Sequence, residues 1–185
     1  MEHIRRWWPP LVLGLLCLLP QAMGWEVAWR YERELLDSEP WRLATGHLVH
    51  LGWVHLGMNL AGLLLIWALF AGLLPLWYWA MGLLLSALGV SLGLYLFDPA
   101  LAWYVGLSGV LHGLLAMGAL ALLRRDRVTA MLLLVGVVGK LLWEQLGGGD
   151  AGSAELIGGA VIVNAHLYGA LAGLALAPLL WWRGA

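Results

Sequence analysis

Residues 104–120 read YVGLSGVLHGLLAMGAL, a run that is apolar enough to enter a membrane but carries Ser108 and His112 among small residues. Polar and ionisable groups inside a membrane span are costly, so they usually face the interior of a helix bundle and serve a function. The run therefore predicts a polar site inside a bundle of membrane helices.

The composition of the whole chain supports a membrane protein. Its 185 residues are 62% hydrophobic and 11% charged, with a mean hydropathy of +0.84, which leaves too little polar surface to cover a soluble domain. The formal net charge is -1 and no run of Lys or Arg is longer than two, which argues against a nucleic-acid partner. The expected partners are membrane lipids and membrane-anchored proteins. The single cysteine, Cys17, cannot form an intrachain disulfide.

A membrane-spanning helix needs about 20 mainly apolar residues, and the chain contains a series of such stretches. They cover residues 9–24, 48–70, 73–97, 101–123, 128–146 and 156–180. Turn-forming sequences such as Asp98-Pro99 and the glycine-rich segment 147–155 separate them. The predicted fold is all-α, a single domain over residues 1–185 that forms a bundle of six transmembrane helices.

The basic residues predict which side of the membrane each end faces. With a cytoplasmic N terminus, the arginines inside are Arg5, Arg6, Arg124, Arg125, Arg127 and Arg183, and those outside are Arg30, Arg33 and Arg42. This excess of positive charge inside follows the positive-inside rule, so both termini are expected in the cytoplasm. The first stretch also resembles a cleavable signal peptide. A retained helix is the favoured interpretation, and cleavage would leave the orientation downstream unchanged.

Strongly polar residues occur in the second, fourth and sixth predicted spans. The second carries His47, His50, His55 and Asn59, the fourth carries Ser108 and His112, and the sixth carries Asn164 and His166. These three spans all run from outside to inside in the predicted orientation. At 1.5 Å per residue, Ser108, His166 and His55 each lie roughly 10 to 15 Å below the outer surface. Three helices are therefore expected to bring polar groups to one depth.

Helical spacing indicates how these groups meet. His55 and Asn59 are four residues apart and share one helix face. Gly109 begins a small-xxx-small face, and a stripe of small residues adjoins His166. Such faces allow close backbone approach, so Ser108 is expected to reach His166, which would take its proton and make it a nucleophile. His55 and Asn59 would then donate hydrogen bonds to a developing oxyanion.

Four short motifs resemble those of the rhomboid family of intramembrane proteases. Residues 106–113, GLSGVLHG, fit its GxSGxxxG pattern, residues 165–169, AHLYG, fit AHxxG, and residues 55–59, HLGMN, fit HxxxN. Residues 39–42, EPWR, resemble the Trp-Arg motif of the family's first outer loop. His50 lies where rhomboids often carry another histidine. The resemblance extends over nearly the whole chain.

The resemblance implies an intramembrane serine protease that acts without a cofactor or metal. Ser108 and His166 would form its catalytic dyad, with no aspartate. The oxyanion site would consist of His55, Asn59 and the backbone NH of Ser108. The supporting residues would be Gly106, Gly109, His112, His50, Trp41 and Arg42.

His112 stands where many rhomboids have a tyrosine packed against the catalytic imidazole. This histidine, together with the small size of the predicted six-span domain, makes the chain similar to the rhombosortase branch of the family. These are bacterial enzymes implied to process exported proteins with a C-terminal Gly-Gly signal, a hydrophobic helix and a basic tail. The resemblance implies a bacterial inner-membrane enzyme whose active site opens to the periplasm and which cleaves such tails by hydrolysis or by transfer to an amine. A general rhomboid protease that cleaves single-span membrane proteins is the alternative.

Several of the histidines and Asn59 have alternative roles. His112 lies one turn from Ser108 and is a second candidate base, but a side chain four residues on usually points along its helix, so His166 is preferred. Asn59 could hydrogen-bond between helices. His50 could pack the first outer loop or contact substrate. His47 is expected at the membrane interface.

The charged and glycine residues at the outer side also have structural alternatives. Trp41 and Arg42 could anchor the first outer loop at the headgroups. Lys140 and Glu144, four residues apart near the outer end of the fifth span, are expected to form a snorkelling pair. Residues 147–149 could be a linker or the hinge of a loop over the site.

A different class of function is also open, because imidazoles inside the spans could ligate haem or a metal ion. Such a protein would show a haem absorption band or bound metal. This hypothesis gives no reason for Ser108 to lie between Gly106 and Gly109. The HExxH signature of metalloproteases is absent from the sequence.

Overall fold

The computed structural model describes residues 7–148 and 151–177, and these residues are mostly helical. The α-helices are α1 (Trp8–Ala22), α2 (Glu26–Trp29), α3 (Arg42–Thr45), α4 (Trp53–Phe70), α5 (Leu76–Phe97), α6 (Ser108–Leu122), α7 (Arg127–Gln145), α8 (Ala151–Ile157) and α9 (Val163–Leu174). Two short strands, β1 (Tyr31–Glu32) and β2 (Trp103–Tyr104), pair antiparallel with Tyr31 opposite Tyr104. The prediction of a helical membrane fold is confirmed, with this small strand pair added to it.

Three of the helices in the described residues are long and apolar enough to cross a membrane: α4, α5 and α7. The helices α1 and α6 are apolar but shorter. Large apolar side chains of α7, including Val128, Leu132 and Val135, are exposed, as expected for a helix whose outer face meets lipid. The chain is a multi-pass membrane protein.

Helix α6 lies at the centre of the bundle and packs against α4, α5, α7 and α9. Its closest partner is α9, because both helices present glycines at the contact. A Cβ at Gly169 would run into the carbonyl oxygen of Gly109, and a Cβ at Gly173 would run into that of Gly113. The predicted small-residue faces on these two helices therefore lie against each other, and they set the separation between α6 and α9.

Two arginines organise the first outer loop, between α1 and α4: Arg42 within the loop and Arg33 between the loop and the bundle. Arg42 is 6% exposed, and its guanidinium donates to Glu39 Oε2 at 2.6 Å, to the Val27 carbonyl at 3.1 Å and to the Arg30 carbonyl at 2.9 Å. These bonds lie within the loop, so Arg42 fixes its internal fold.

Arg33 connects the same loop to the end of α5. Its guanidinium donates hydrogen bonds to the backbone carbonyls of Leu94, Tyr95, Asp98 and Leu101. The last carbonyls of a helix have no partner within the helix and carry partial negative charge, so a cation at this position stabilises the end of α5. The strand pair β1 and β2 adds a second attachment next to it.

The predicted start of the second span was wrong. It was placed at residue 48, but α4 begins at Trp53, so His47 and His50 precede the helix. Hydropathy assigned residues 48–52 to the span because several of them are apolar, but the backbone at 49–52 is not helical.

The predicted starts of the fourth and sixth spans were also too early. The fourth was placed at residue 101, but α6 begins at Ser108, after β2 and a turn at Gly106 with φ +117°. The sixth was placed at residue 156, but α8 ends at Ile157 and α9 begins at Val163. Glycine favours positive φ and interrupts a helix even within an apolar segment.

Some sequence predictions fall on residues that the structure does not describe. Arg5, Arg6 and Arg183, which contribute to the predicted orientation, lie outside the described residues. So do Gly149 and the end of the predicted sixth span.

Candidate active site

Ser108 and His166 lie at the starts of two helices that pack closely. Ser108 is the first residue of α6 and His166 is the fourth residue of α9. The Oγ of Ser108 is 3.0 Å from Nε2 of His166, which is hydrogen-bonding distance. A Cβ at Gly109 would lie 2.7 Å from the Ala165 carbonyl oxygen, so glycine is required at this contact for the two side chains to meet.

Both residues line a cavity of about 420 Å³, to which α4, α6, α7, α8 and α9 contribute side chains. The remainder of its lining is mainly apolar, and the polar side chains around it are His55, Asn59, Ser108, His112, Lys140, Glu144, Ser153 and His166. The predicted polar groups of α4, α6 and α9 therefore meet in one space. Each of these helices contributes a group from near its N-terminal end, where backbone NH groups carry partial positive charge.

His55 lies against the turn that precedes Ser108. A Cβ at Gly106 would lie 2.8 Å from Cε1 of His55, so glycine is required here both for its φ and for the approach of the ring. The Leu51 amide donates to Nδ1 of His55 at 3.4 Å. His50 packs edge-on against His55, with 5.0 Å between ring centroids. The outer loop thus positions the His55 ring beside Ser108.

Asn59 lines the cavity one turn below His55, but its amide group is already engaged. Its Nδ2 donates to the His55 carbonyl at 3.0 Å within α4. Asn59 is 4% exposed. The NH2 group has a second hydrogen, which is the one that could be donated to an oxyanion.

His112 contacts His166 instead of the Ser108 hydroxyl. The two imidazoles stack with centroids 4.1 Å apart and planes 19° from parallel. Nδ1 of His112 is 2.8 Å from the Ser108 carbonyl oxygen, one turn back on α6. His112 therefore occupies the packing position expected of the residue four after the serine, and the base alternative has no geometric support.

Glu144 is the principal site residue that the sequence analysis did not assign. Both of its carboxylate oxygens lie 3.0 Å from Nδ1 of His166, and the residue is 5% exposed. The predicted pair with Lys140 does form. However, only Lys140 reaches outward, with its side chain 47% exposed, whereas Glu144 points into the bundle. The resemblance implied a dyad with no aspartate, and in the structure a glutamate, Glu144, contacts the imidazole.

His47, which was expected at the membrane interface, is buried between the outer loop and α5. The residue is 3% exposed, and its Nε2 lies 3.0 Å from the Ala87 carbonyl and 2.9 Å from Ser91 Oγ on α5. Burial lowers the pKa of His47 to about 4. His47 therefore fastens the outer loop to α5 as a neutral side chain.

His50 is also buried outside the helices. Burial, followed by the nearby His55, lowers the pKa of His50 to about 3. It packs against the ring of His55 and is not among the residues lining the cavity, so of its two alternatives the packing role fits the structure.

The remaining predicted residues lie away from the cavity. Trp41 is 53% exposed and Arg42 is buried in the loop, and neither is among the residues lining the cavity. Asn164 donates to the Asp98 carboxylate and accepts from Gln145 Nε2 at 3.2 Å. These residues fix the loop and the start of α9.

Among the described residues, His112, Glu144 and His166 form a group whose ligand atoms lie within 4.8 Å of one another. A metal ion would require the lone pairs of both imidazoles to converge on one point. The two rings are instead stacked nearly parallel, so their in-plane lone pairs run side by side. The geometry suits an imidazole held between a hydroxyl and a carboxylate better than a metal centre.

Comparison with known proteins gives one family. The model of the rhomboid domain matches residues 37–183, a range that includes the whole candidate site. No curated protein matches the chain.

Proposed function

Because the chain belongs to the rhomboid family of intramembrane serine proteases, we propose that Ser108 is its nucleophile and His166 its general base. The 3.0 Å approach of Ser108 Oγ to His166 Nε2 within the cavity is the observation that supports this assignment. The alternative roles of a lone serine, such as bonding to its own helix, do not explain the contact.

The proposed reaction is acyl transfer. Ser108 Oγ attacks a peptide carbonyl of the substrate while its proton passes to Nε2 of His166. His166 then gives that proton to the leaving amine, and a water molecule or another amine resolves the acyl-enzyme. Stacking of His112 on His166 holds the imidazole plane during both transfers.

The oxyanion is proposed to form between α4 and the first turn of α6. Its proposed donors are the backbone NH of Ser108, the ring of His55 and the second amide hydrogen of Asn59. The close approach of Gly106 to the His55 ring supports this position. Hydrogen bonds aimed at the developing negative charge are worth most in a site that excludes water.

The proposed topology is a single domain of six membrane spans in a bacterial inner membrane, with both termini cytoplasmic. Helices α1, α4, α5, α6, α7 and α9 are the spans in this proposal. Ser108, His55 and His166 all lie near the N-terminal ends of their helices, so the site opens to one side, the periplasmic side.

The proposed substrates are exported proteins with a C-terminal Gly-Gly signal followed by a hydrophobic helix and a basic tail. The support is the sequence GLSGVLHG together with the stacked His112, which takes the place of the usual tyrosine.

The test of this function is cleavage in reconstituted membranes. The wild-type chain is incubated with a protein carrying a Gly-Gly tail and, separately, with an ordinary single-span rhomboid substrate, and Ser108→Ala serves as the inactive control. We expect cleavage of the Gly-Gly tail by wild type alone. Cleavage of only the single-span substrate would reject the substrate class, and equal cleavage by Ser108→Ala would reject the nucleophile.

A further inference from the structure

Glu144 is a buried carboxylate that the proposed Ser108–His166 chemistry does not yet use. It lies on α7, whereas His166 lies on α9, so the contact joins two helices. A buried charge is strongly unfavourable unless it is paired and hydrogen-bonded. The burial of this carboxylate against the imidazole therefore suggests that it has a role in the chemistry of the site.

The contact geometry is that of an imidazole held between two partners. Nε2 of His166 faces Ser108 Oγ at 3.0 Å, and Nδ1 faces both oxygens of Glu144 at 3.0 Å. An ionised carboxylate can accept hydrogen bonds but cannot donate them, so Nδ1 must carry the proton in this pair. Nε2 is then left with its lone pair directed at the serine hydroxyl.

We propose that Glu144 is the positioning residue of His166, so that the enzyme uses a Ser108–His166–Glu144 relay in place of a dyad. The proposal rests on the assignment of Ser108 and His166 above. Glu144 fixes the tautomer of the imidazole and its orientation. It also stabilises the imidazolium that forms when the serine is deprotonated.

The proton transfers in this step balance without a proton moving to Glu144. As the Oγ–carbonyl bond forms, the Oγ proton moves to Nε2, and His166 becomes a cation beside the Glu144 anion. The same proton then leaves on the departing amine as the scissile C–N bond breaks. Glu144 remains ionised throughout, as in other serine hydrolases with an acidic third member.

A surface ion pair alone does not account for the position of Glu144. Lys140 lies on the same helix and is half exposed, so the pair could form at the outside of α7. The carboxylate instead turns inward and meets Nδ1 with both oxygens. Lys140 compensates the charge of the buried carboxylate from its exposed side.

The charged and titratable groups around His166 come from three helices. Glu144 and Lys140 face it from α7, His112 from α6 and His55 from α4. Glu144 is the one acid among these described residues that contacts the ring, so its removal changes the charge at Nδ1 directly.

The first experiment measures the rate at which a fluorophosphonate probe labels the purified protein in micelles as a function of pH. We expect Glu144→Gln to label at least about 10²-fold more slowly than wild type, because an amide can favour the wrong tautomer. We also expect the acid limb of its pH profile to move to lower pH, since the imidazolium loses a neighbouring anion. Glu144→Asp should recover part of the rate.

Asp126→Asn is the matched control. It makes the same acid-to-amide change at the other end of α7, where Asp126 caps the helix by accepting from the Thr129 amide. Asparagine is an equally good cap, so the labelling rate and pH profile of Asp126→Asn should equal those of wild type. A wild-type rate and profile in Glu144→Gln would overturn the proposal.

A second measurement uses the wild-type chain and does not depend on the variant folding. Nitrogen NMR of ¹⁵N-histidine-labelled protein, with the His166 signals identified by their loss in His166→Gln, reports which ring nitrogen carries the proton in the neutral imidazole. We expect a proton on Nδ1 and none on Nε2. The opposite tautomer would overturn the proposal.

The two proposals fail in different ways. If Ser108→Ala labels as fast as wild type, the proposed nucleophile is wrong. If Ser108→Ala is unlabelled while Glu144→Gln behaves as wild type, the nucleophile stands and only the role of Glu144 is rejected.

Discussion

His166 is the residue on which the chemistry of the site depends, because its two ring nitrogens face different partners. Nε2 meets the Ser108 hydroxyl and Nδ1 meets the Glu144 carboxylate. The face of the ring is covered by His112. With both edges and one face in contact, the imidazole is held in one orientation.

A substitution at His112 can distinguish a packing role from a role in proton transfer. Phenylalanine keeps a ring that can stack on His166 but has no nitrogen. An aromatic stacking pair contributes about 0.5–1.5 kcal/mol, so His112→Phe should lower the fluorophosphonate labelling rate by no more than about tenfold. A loss as large as that in His166→Ala would instead make His112 a participant in proton transfer.

Asn59 is predicted to act only in the transition state. Removing one oxyanion donor typically costs on the order of 10²-fold in rate, so Asn59→Ala should lower kcat for peptide cleavage by that factor with little change in KM. Thermal unfolding in micelles checks that the variant is folded. An unchanged kcat would assign Asn59 to its observed hydrogen bond within α4 alone.

The residues of the Ser108–His166 contact could be predicted from sequence, whereas Glu144 could not. Ser108 and His166 lie within short motifs and are strongly polar in apolar surroundings. Glu144 is four residues from Lys140, and that spacing by itself indicates an exposed pair along one helix. The direction of its side chain depends on how α7 is rotated against α9, which only the packed bundle determines. The available signal was an acid within an apolar span, where a carboxylate is costly.

At the scale of elements, the contact between α6 and α9 sets the distance between nucleophile and base. Gly169 meets the backbone of Gly109 directly, so any side chain there must push the helices apart. The small-xxx-small pattern made this contact predictable.

Gly169→Ala tests the α6–α9 contact. Overpacking a close contact costs about 1–3 kcal/mol, and separation of the helices would also lengthen the Ser108–His166 distance. We expect a lower unfolding temperature and loss of probe labelling. Gly136→Ala on α7 is the matched control, because a Cβ there meets nothing within 4 Å. Equal behaviour of the two variants would contradict the close contact.

The sequence predicted the ends of the helices less accurately than it predicted the helices themselves. Residues 101–107 are largely apolar and were assigned to a span, but they form β2 and the turn at Gly106. Hydropathy measures transfer to an apolar environment, and a buried loop of a membrane protein has the same composition as a helix. Gly106 and Pro99 were the local signals of an interruption.

At the scale of the whole molecule, the outer loop is fastened to the bundle through buried neutral histidines. Their pKa values in the folded state, about 4 for His47 and about 3 for His50, lie below the ordinary value of 6.5. Below pH 6.5 the unfolded chain therefore binds protons that the folded chain does not. Stability present above that pH is lost as the pH falls towards about 4.

This predicts an acid-sensitive fold, measurable as the unfolding temperature in micelles between about pH 7.5 and about pH 4.5, a range that includes the pH where histidine ordinarily titrates. The temperature should fall with pH. His50→Leu should show a shallower fall, because one of the proton-binding groups is absent. A wild-type temperature independent of pH would show that these histidines stay charged or accessible in the folded state.

The most direct test of the central claim is to identify the residue that a fluorophosphonate probe modifies, by digestion and mass spectrometry of the wild-type protein. We predict phosphonylation of Ser108, none in Ser108→Ala, and a rate at least about 10³-fold lower in His166→Ala. Modification of a different residue, or of Ser108→Ala at the wild-type rate, would contradict the assignment of Ser108 and His166 as nucleophile and base.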